Sequence, residues 1–174
     1  MNVKALVYTS LFTAFIIIGA YITIPLGPVP LVLSDFMVLF AGLMLGPRYG
    51  FTAVGLYIML GALGLPIFSG GGGGLAHMAG PTGGYLAGFF ISPLVVGSIS
   101  HSGEFKWAKD ALAALLGYVL IFGLGVIWLK IQAEMSWEKA VAAGFLTFLI
   151  PMGIKWVGVV GLTQLIRRTG ILSI

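Results

Sequence analysis

The chain has 174 residues, 59% of them hydrophobic and 8% charged, with nine basic and five acidic side chains and a mean hydropathy of +1.11. A soluble domain carries ~25% charged residues, and so few charges cannot cover a globular surface, which excludes a soluble enzyme, a nucleic-acid binder and a disordered chain. No cysteine is present, so disulfides and thiolate metal sites are excluded too, and the length suits a single membrane domain over residues 1–174.

Charge-free intervals set the spans. Thirty residues separate Lys4 from Asp35, 55 separate Arg48 from Glu104, and 19 separate Asp110 from Lys130. A membrane-crossing helix needs ~20 residues, so the longest interval holds two spans and a long loop. The chain reads as an all-α integral membrane protein with six transmembrane helices, at about 4–24, 31–46, 49–65, 82–101, 107–131 and 150–168. The first ends at Pro25, before a turn that also holds Pro28 and Pro30. The second ends at Gly46-Pro47, and the third at Pro66. The second and third are short, as packing inside a bundle allows. Glu134–Phe148 reads as a short interfacial helix, and Pro151 fits the first turn of the last span.

Six spans place both termini on one side. That side collects Lys4, Arg48, Lys106, Lys109, Arg167 and Arg168, and the other only Lys130 and Lys139. The positive-inside rule then makes the termini cytoplasmic. The first span is too long and too uniform for a cleaved signal peptide.

Two charges lie about one turn inside the outer ends of their spans: Asp35 in the second helix and Lys155 in the sixth. Intramembrane charges are costly and face the bundle interior, a partner or a polar cavity. One reading has Lys155 snorkelling to the outer interface and Asp35 at a favourable helix N-terminus. The other has both projecting into one outward-facing cavity, contacting a polar ligand or each other. The loop between the third and fourth spans holds five consecutive glycines, residues 70–74, interleaved with Phe68, Leu75, Met78 and Tyr85. A flexible linker would lack those side chains, and a loop longer than ~12–15 residues usually has a function. It is read as a ligand lid. His77 has no ligating neighbour in sequence, so it is read as a polar residue at the cavity rim and not as a metal ligand. Gly42, Gly46 and Gly50, and Gly84 and Gly88, repeat at four-residue spacing and permit close helix contact. Ser10 and Ala14 form a similar pair on the first span, for packing within the bundle or for docking another membrane subunit.

The run GALGLPIFSGG over residues 61–71, continued by GPTGGYLAGF over residues 80–89, resembles the signature of the BioY family, the biotin-binding S components of energy-coupling-factor transporters. The likeness extends to GAYI at 19–22, PLGPVP at 25–30 and residues 39–50, and persists in GFLTF at 144–148 and Lys155. It implies six helices with substrate bound near the extracellular side of a bacterial or archaeal plasma membrane. It also implies a membrane-embedded T component and two ABC-type ATPases as partners, with Ser10 and Ala14 matching the small residues that contact the T component. Biotin is then the transported ligand, and no cofactor is expected. The family usually carries an acid three residues before the sixth-helix lysine, where this chain has Met152, and an amide near position 35, where this chain has Asp35. Asp35 is therefore expected to supply the missing carboxylate from the second helix.

Biotin offers two ureido N–H donors, a carbonyl, an apolar ring and a carboxylate. Asp35 or Ser34 would accept from the ureido group, and Lys155 would donate to its carbonyl or pair with the carboxylate. Backbone N–H groups at Gly73 and Gly74, or at the helix start over Thr82, Gly83, Gly84 and Tyr85, would hold an anionic end. Phe68, Tyr85, Phe148 and Trp156 would form walls. The alternatives are an S component for another small vitamin-like ligand and a ligand-free structural or assembly subunit, which predicts that Asp35 and Lys155 simply pair. An enzyme is disfavoured: no nucleophile set, metal cluster or close acid pair appears at a common depth.

Overall fold

Three prolines and Gly27 prevent the first helix from running into the second. In the computed structural model, which describes residues 3–103 and 107–169, α1 spans Val3–Tyr21. It is followed by two short strands, β1 (Thr23–Ile24) and β2 (Leu31–Val32), paired antiparallel with Thr23 opposite Val32. The reading from sequence placed helix at both ends of this segment. The backbone instead pairs with itself across the proline turn, because prolines cannot supply the helical N–H bonds. Gly27 takes φ +126° at the tip.

α2 (Ser34–Ala62) contains the two spans expected at 31–46 and 49–65. Gly46 breaks the helix with φ 75° and ψ −178°, and Pro47 follows. The chain doubles back there: a Cβ on Gly50 would lie 3.0 Å from the Cα of Gly42, eight positions earlier, a separation of about 12 Å in a straight helix. The Gly42/Gly50 pair therefore serves contact between the arms, as the four-residue spacing implied. The arms, 34–45 and 47–62, are about 18 and 24 Å long. Among the described residues five apolar helical stretches are long enough to cross a membrane, and the reversal at Gly46 divides one of them into two arms. The protein is a multi-pass membrane protein.

The expected long loop is folded. It contains a 3-10 turn (Ser69–Gly71) and α3 (Gly74–Met78). α4 (Gly83–Ser100) and α5 (Trp107–Gln132) follow, then the interfacial α6 (Trp137–Gly144) and α7 (Leu149–Thr169). A Cβ at Gly88 would meet the Cα of Ile121 at 2.6 Å, so α4 and α5 approach through glycine. α2 is the most buried of the spans and α7 is the least. Lys4, Arg48, Lys109, Arg167 and Arg168 belong to the end of the bundle that holds the Gly46 turn, here termed the inner end, while Lys106 lies outside the described residues.

α7 is fastened at its inner half by a buried polar cluster that the sequence reading did not foresee. Asp110, fully buried, accepts from Ser100 Oγ and from Gln164 Nε2, both at 2.6 Å, and pairs with Arg167. Arg167 also donates to Ser100 Oγ and to the carbonyl of Leu43. One cluster thus joins α2, α4, α5 and α7.

The close arm contact makes a size prediction. Gly50→Leu should destabilise the protein by about 1–3 kcal/mol in a detergent melt, whereas Gly123→Leu, which meets nothing within 4 Å, should leave the melt unchanged.

Candidate ligand cavity

A cavity opens at the outer end, between the β1–β2 turn, the start of α2, the glycine loop, α4, α5 and α7. Counted together with the open solvent at its mouth, its empty space is about 530 Å³. Its walls are mostly apolar and aromatic. Phe122 is their centre: Tyr85 stands edge-on to it at 5.8 Å, and Phe148 and Phe145 lie at 5.7 and 6.0 Å. The Tyr85 hydroxyl donates to the carbonyl of Gly144 at 2.8 Å, fixing α4 to α6.

Asp35 and Lys155 meet on the cavity wall. The Lys155 ammonium donates to Asp35 Oδ2 and, at 3.2 Å, to the carbonyl of Val32. Asp35 is 3% exposed, and its Oδ1 accepts from the Phe36 N–H at 2.7 Å. Lys155 thus turns inward instead of snorkelling outward. An ammonium carries three donors; two are engaged, which leaves one for whatever enters.

The glycine loop forms the opposite rim. Phe68 is fully buried: its ring packs on Gly61, takes Tyr57 edge-on at 5.4 Å and stacks with His77 at 5.3 Å. Thr82 Oγ1 lies 3.4 Å from His77 Nε2. Burial holds the His77 imidazole below its ordinary pKa, so at neutral pH it is uncharged, with one donor and one acceptor nitrogen. The Trp128 indole N–H donates to the carbonyl of Gly80 at 2.9 Å and anchors the loop to α5.

The cavity brings together Ser34, Asp35, Phe68, His77, Thr82, Tyr85, Phe148 and Lys155. The other candidates lie off its wall. Gly73 packs on the carbonyl of Leu65, Gly83 on that of Met78 and Gly84 on Trp128, while Gly74 starts α3 with φ +81°. Trp156 points away, its indole N–H donating to the carbonyl of Ala111 at 2.9 Å. Tyr57, Leu86, Phe89, Ile121, Phe122 and the stretch 29–32 also line the cavity, and the sequence reading did not single them out. The proline turn was a signal for residues 29–32; the aromatic residues within apolar spans look the same whether they face lipid or ligand. Ser10 and Ala14 are both exposed on α1, among Leu6, Val7, Leu11 and Ile18.

A BioY family model matches residues 1–170. The chain belongs to the BioY family. Its BioY relatives include a probable biotin transporter of Pyrococcus horikoshii, 39% identical, with 89% of this chain and 91% of the relative covered. The biotin transporter of Thermotoga maritima is 42% identical, with 84% and 85% covered. The fold matches a crystal structure of the S-component for biotin from an ECF-type ABC transporter with a TM-score of 0.89, at 33% identity and covering 95% of this chain and 92% of that one.

For this BioY-family chain, the buried pair makes a stability prediction without ligand. Lys155→Met alone strands a buried carboxylate and should cost about 3–5 kcal/mol. Adding Asp35→Leu should restore most of that loss, as read by thermal unfolding in detergent.

Proposed function

We propose that this chain is the high-affinity substrate-capture subunit of an ECF-type vitamin transporter and that its ligand is biotin. It is a transport subunit and not an enzyme. The Asp35–Lys155 pair alone is what a ligand-free assembly subunit also predicts; the observation that carries this reading is the aromatic-walled cavity the pair lines, at the outer end of a chain whose relatives are named biotin transporters. Asp35 accepts from a ureido N–H, and Lys155 donates to a ligand oxygen. Phe68, Tyr85, Phe122 and Phe148 enclose the apolar ring system. His77 and Thr82 serve the remaining polar end from the loop.

The pairing also supports Asp35 as the replacement for the family's usual acid. Met152 stands where that acid would be, yet Lys155 still has a carboxylate partner, supplied from α2. A wrong ligand would leave one of these buried groups unpaired, at about 1–3 kcal/mol each, which is a sufficient basis for selectivity.

The termini lie in the cytoplasm of a bacterial or archaeal cell, and the cavity faces outside. Ser10 and Ala14, exposed side by side on α1, form the docking face for a membrane-embedded T component, which couples the chain to two ABC-type ATPases.

Isothermal titration of the purified chain should show saturable biotin binding, with Lys155→Ala and Asp35→Asn each weakening it at least about tenfold, the loss of one hydrogen bond to a charged group. Unchanged affinity in both variants would remove the pair from the site. For docking, Ser10→Trp should abolish co-purification with a T component while leaving biotin affinity intact.

A further inference from the structure

Most hydroxyls buried in this bundle are bonded. Thr9, Thr13 and Thr163 each donate to a carbonyl one turn back in their own helix, Ser100 donates to Asp110, and Tyr85 donates to the carbonyl of Gly144. Among the described residues, three buried residues carry a hydroxyl with no such bond: Ser34, Tyr57 and Tyr118. The Tyr118 oxygen is sealed away. Those of Ser34 and Tyr57 keep open surface, and both residues line the cavity. Ser34 stands beside Asp35. Tyr57 stands apart from that pair, on the second arm of α2, and is 1% exposed. An unbonded buried hydroxyl costs stability, and phenylalanine would fill the same space without that cost. Packing thus accounts for the Tyr57 ring and not for its oxygen.

The surroundings of Tyr57 say what the oxygen can meet. Its ring takes Phe68 edge-on at 5.4 Å, and Phe68 stacks with His77 at 5.3 Å, so three rings in a row form the loop side of the cavity. Lys155 is the only cation that lines the cavity among the described residues, and it is bonded to Asp35 and to the Val32 carbonyl. The loop side therefore offers an anion uncharged donors. His77 and Thr82 lie 3.4 Å apart and engage one another. The phenolic O–H of Tyr57 is a donor with no competing partner. On the functional reading above, the ureido group meets Asp35, so the carboxylate at the far end of the ligand reaches this side.

We infer that the Tyr57 hydroxyl donates to the ligand's carboxylate and makes the site select an acid over a neutral analogue at that end. A hydrogen bond to an ionised oxygen is roughly twice as strong as one between neutral groups, so a single uncharged donor discriminates between the two. The inference rests on the biotin-binding reading and adds to it the group that recognises the ligand's charged end.

The test compares wild type and Tyr57→Phe by titration calorimetry with biotin and with its primary carboxamide, which has the same size and no charge. Melts are taken without ligand. The variant should melt at or above the wild-type temperature, because it loses an oxygen that has no partner. Its affinity for biotin should fall at least about tenfold, and its affinity for the carboxamide less than about threefold. A packing role would lower both equally. With biotin labelled with 13C at the carboxyl carbon, the bound resonance should differ between the two proteins, however weakly the carboxamide binds. Equal biotin affinity in variant and wild type, an equal loss for both ligands, or an unmoved carboxyl resonance would each overturn the inference and leave the functional reading standing. Wild-type protein that fails to bind biotin would overturn that reading, and this inference with it.

Discussion

The organisation of the outer half depends on the contact between Lys155 and Asp35. α7 is the least buried of the spans, so apolar packing alone attaches it weakly, and lipid offers no hydrophobic drive between helices. Two buried polar contacts fix it instead. At the inner end Arg167 and Gln164 engage Asp110, and at the outer end Lys155 engages Asp35 and the carbonyl of Val32. The inner cluster joins four helices and has every partner it needs. The outer pair has a donor left over and lies on a cavity wall. This asymmetry separates a contact that only holds the fold together from one that can also exchange partners.

The cavity exists because α2 does not run straight. The reversal at Gly46 uses a backbone conformation that side-chain-bearing residues rarely adopt, and Gly42 against Gly50 lets the two arms close. The first arm then begins at Ser34 and Asp35 on the outer face, and the second returns Tyr57 to the same level. The proline turn before α2 adds residues 29–32 to the wall, and the glycine loop adds Phe68 and His77. The most irregular stretches of the chain are thus gathered around one space. Non-helical backbone is tolerated at membrane depth where it lines a cavity.

Much of this was legible in the sequence. Prolines and charge-free intervals located the apolar helices, since the hydrocarbon thickness fixes span length. The rarity of intramembrane charge singled out Asp35 and Lys155. Other features were hidden for physical reasons. The β1–β2 pairing depends on a backbone contact across a turn that no period announces. The folded state of the five-glycine run follows from Phe68 seating on Gly61, a tertiary contact. Trp156 and Gly84 carry the right chemistry for a site yet face other helices, because spacing gives the face of a helix and not its neighbour. Asp110 and Arg167 read as span boundaries, although their side chains turn inward to each other.

Biotin in this cavity is the proposal on which the rest stands. Native mass spectrometry of the chain purified in detergent from cells grown with biotin tests it most directly. One biotin should be retained per polypeptide, confirmed by release and identification of the bound molecule. A different small molecule at the same stoichiometry, or a chain that stays bare after incubation with excess biotin, would contradict it.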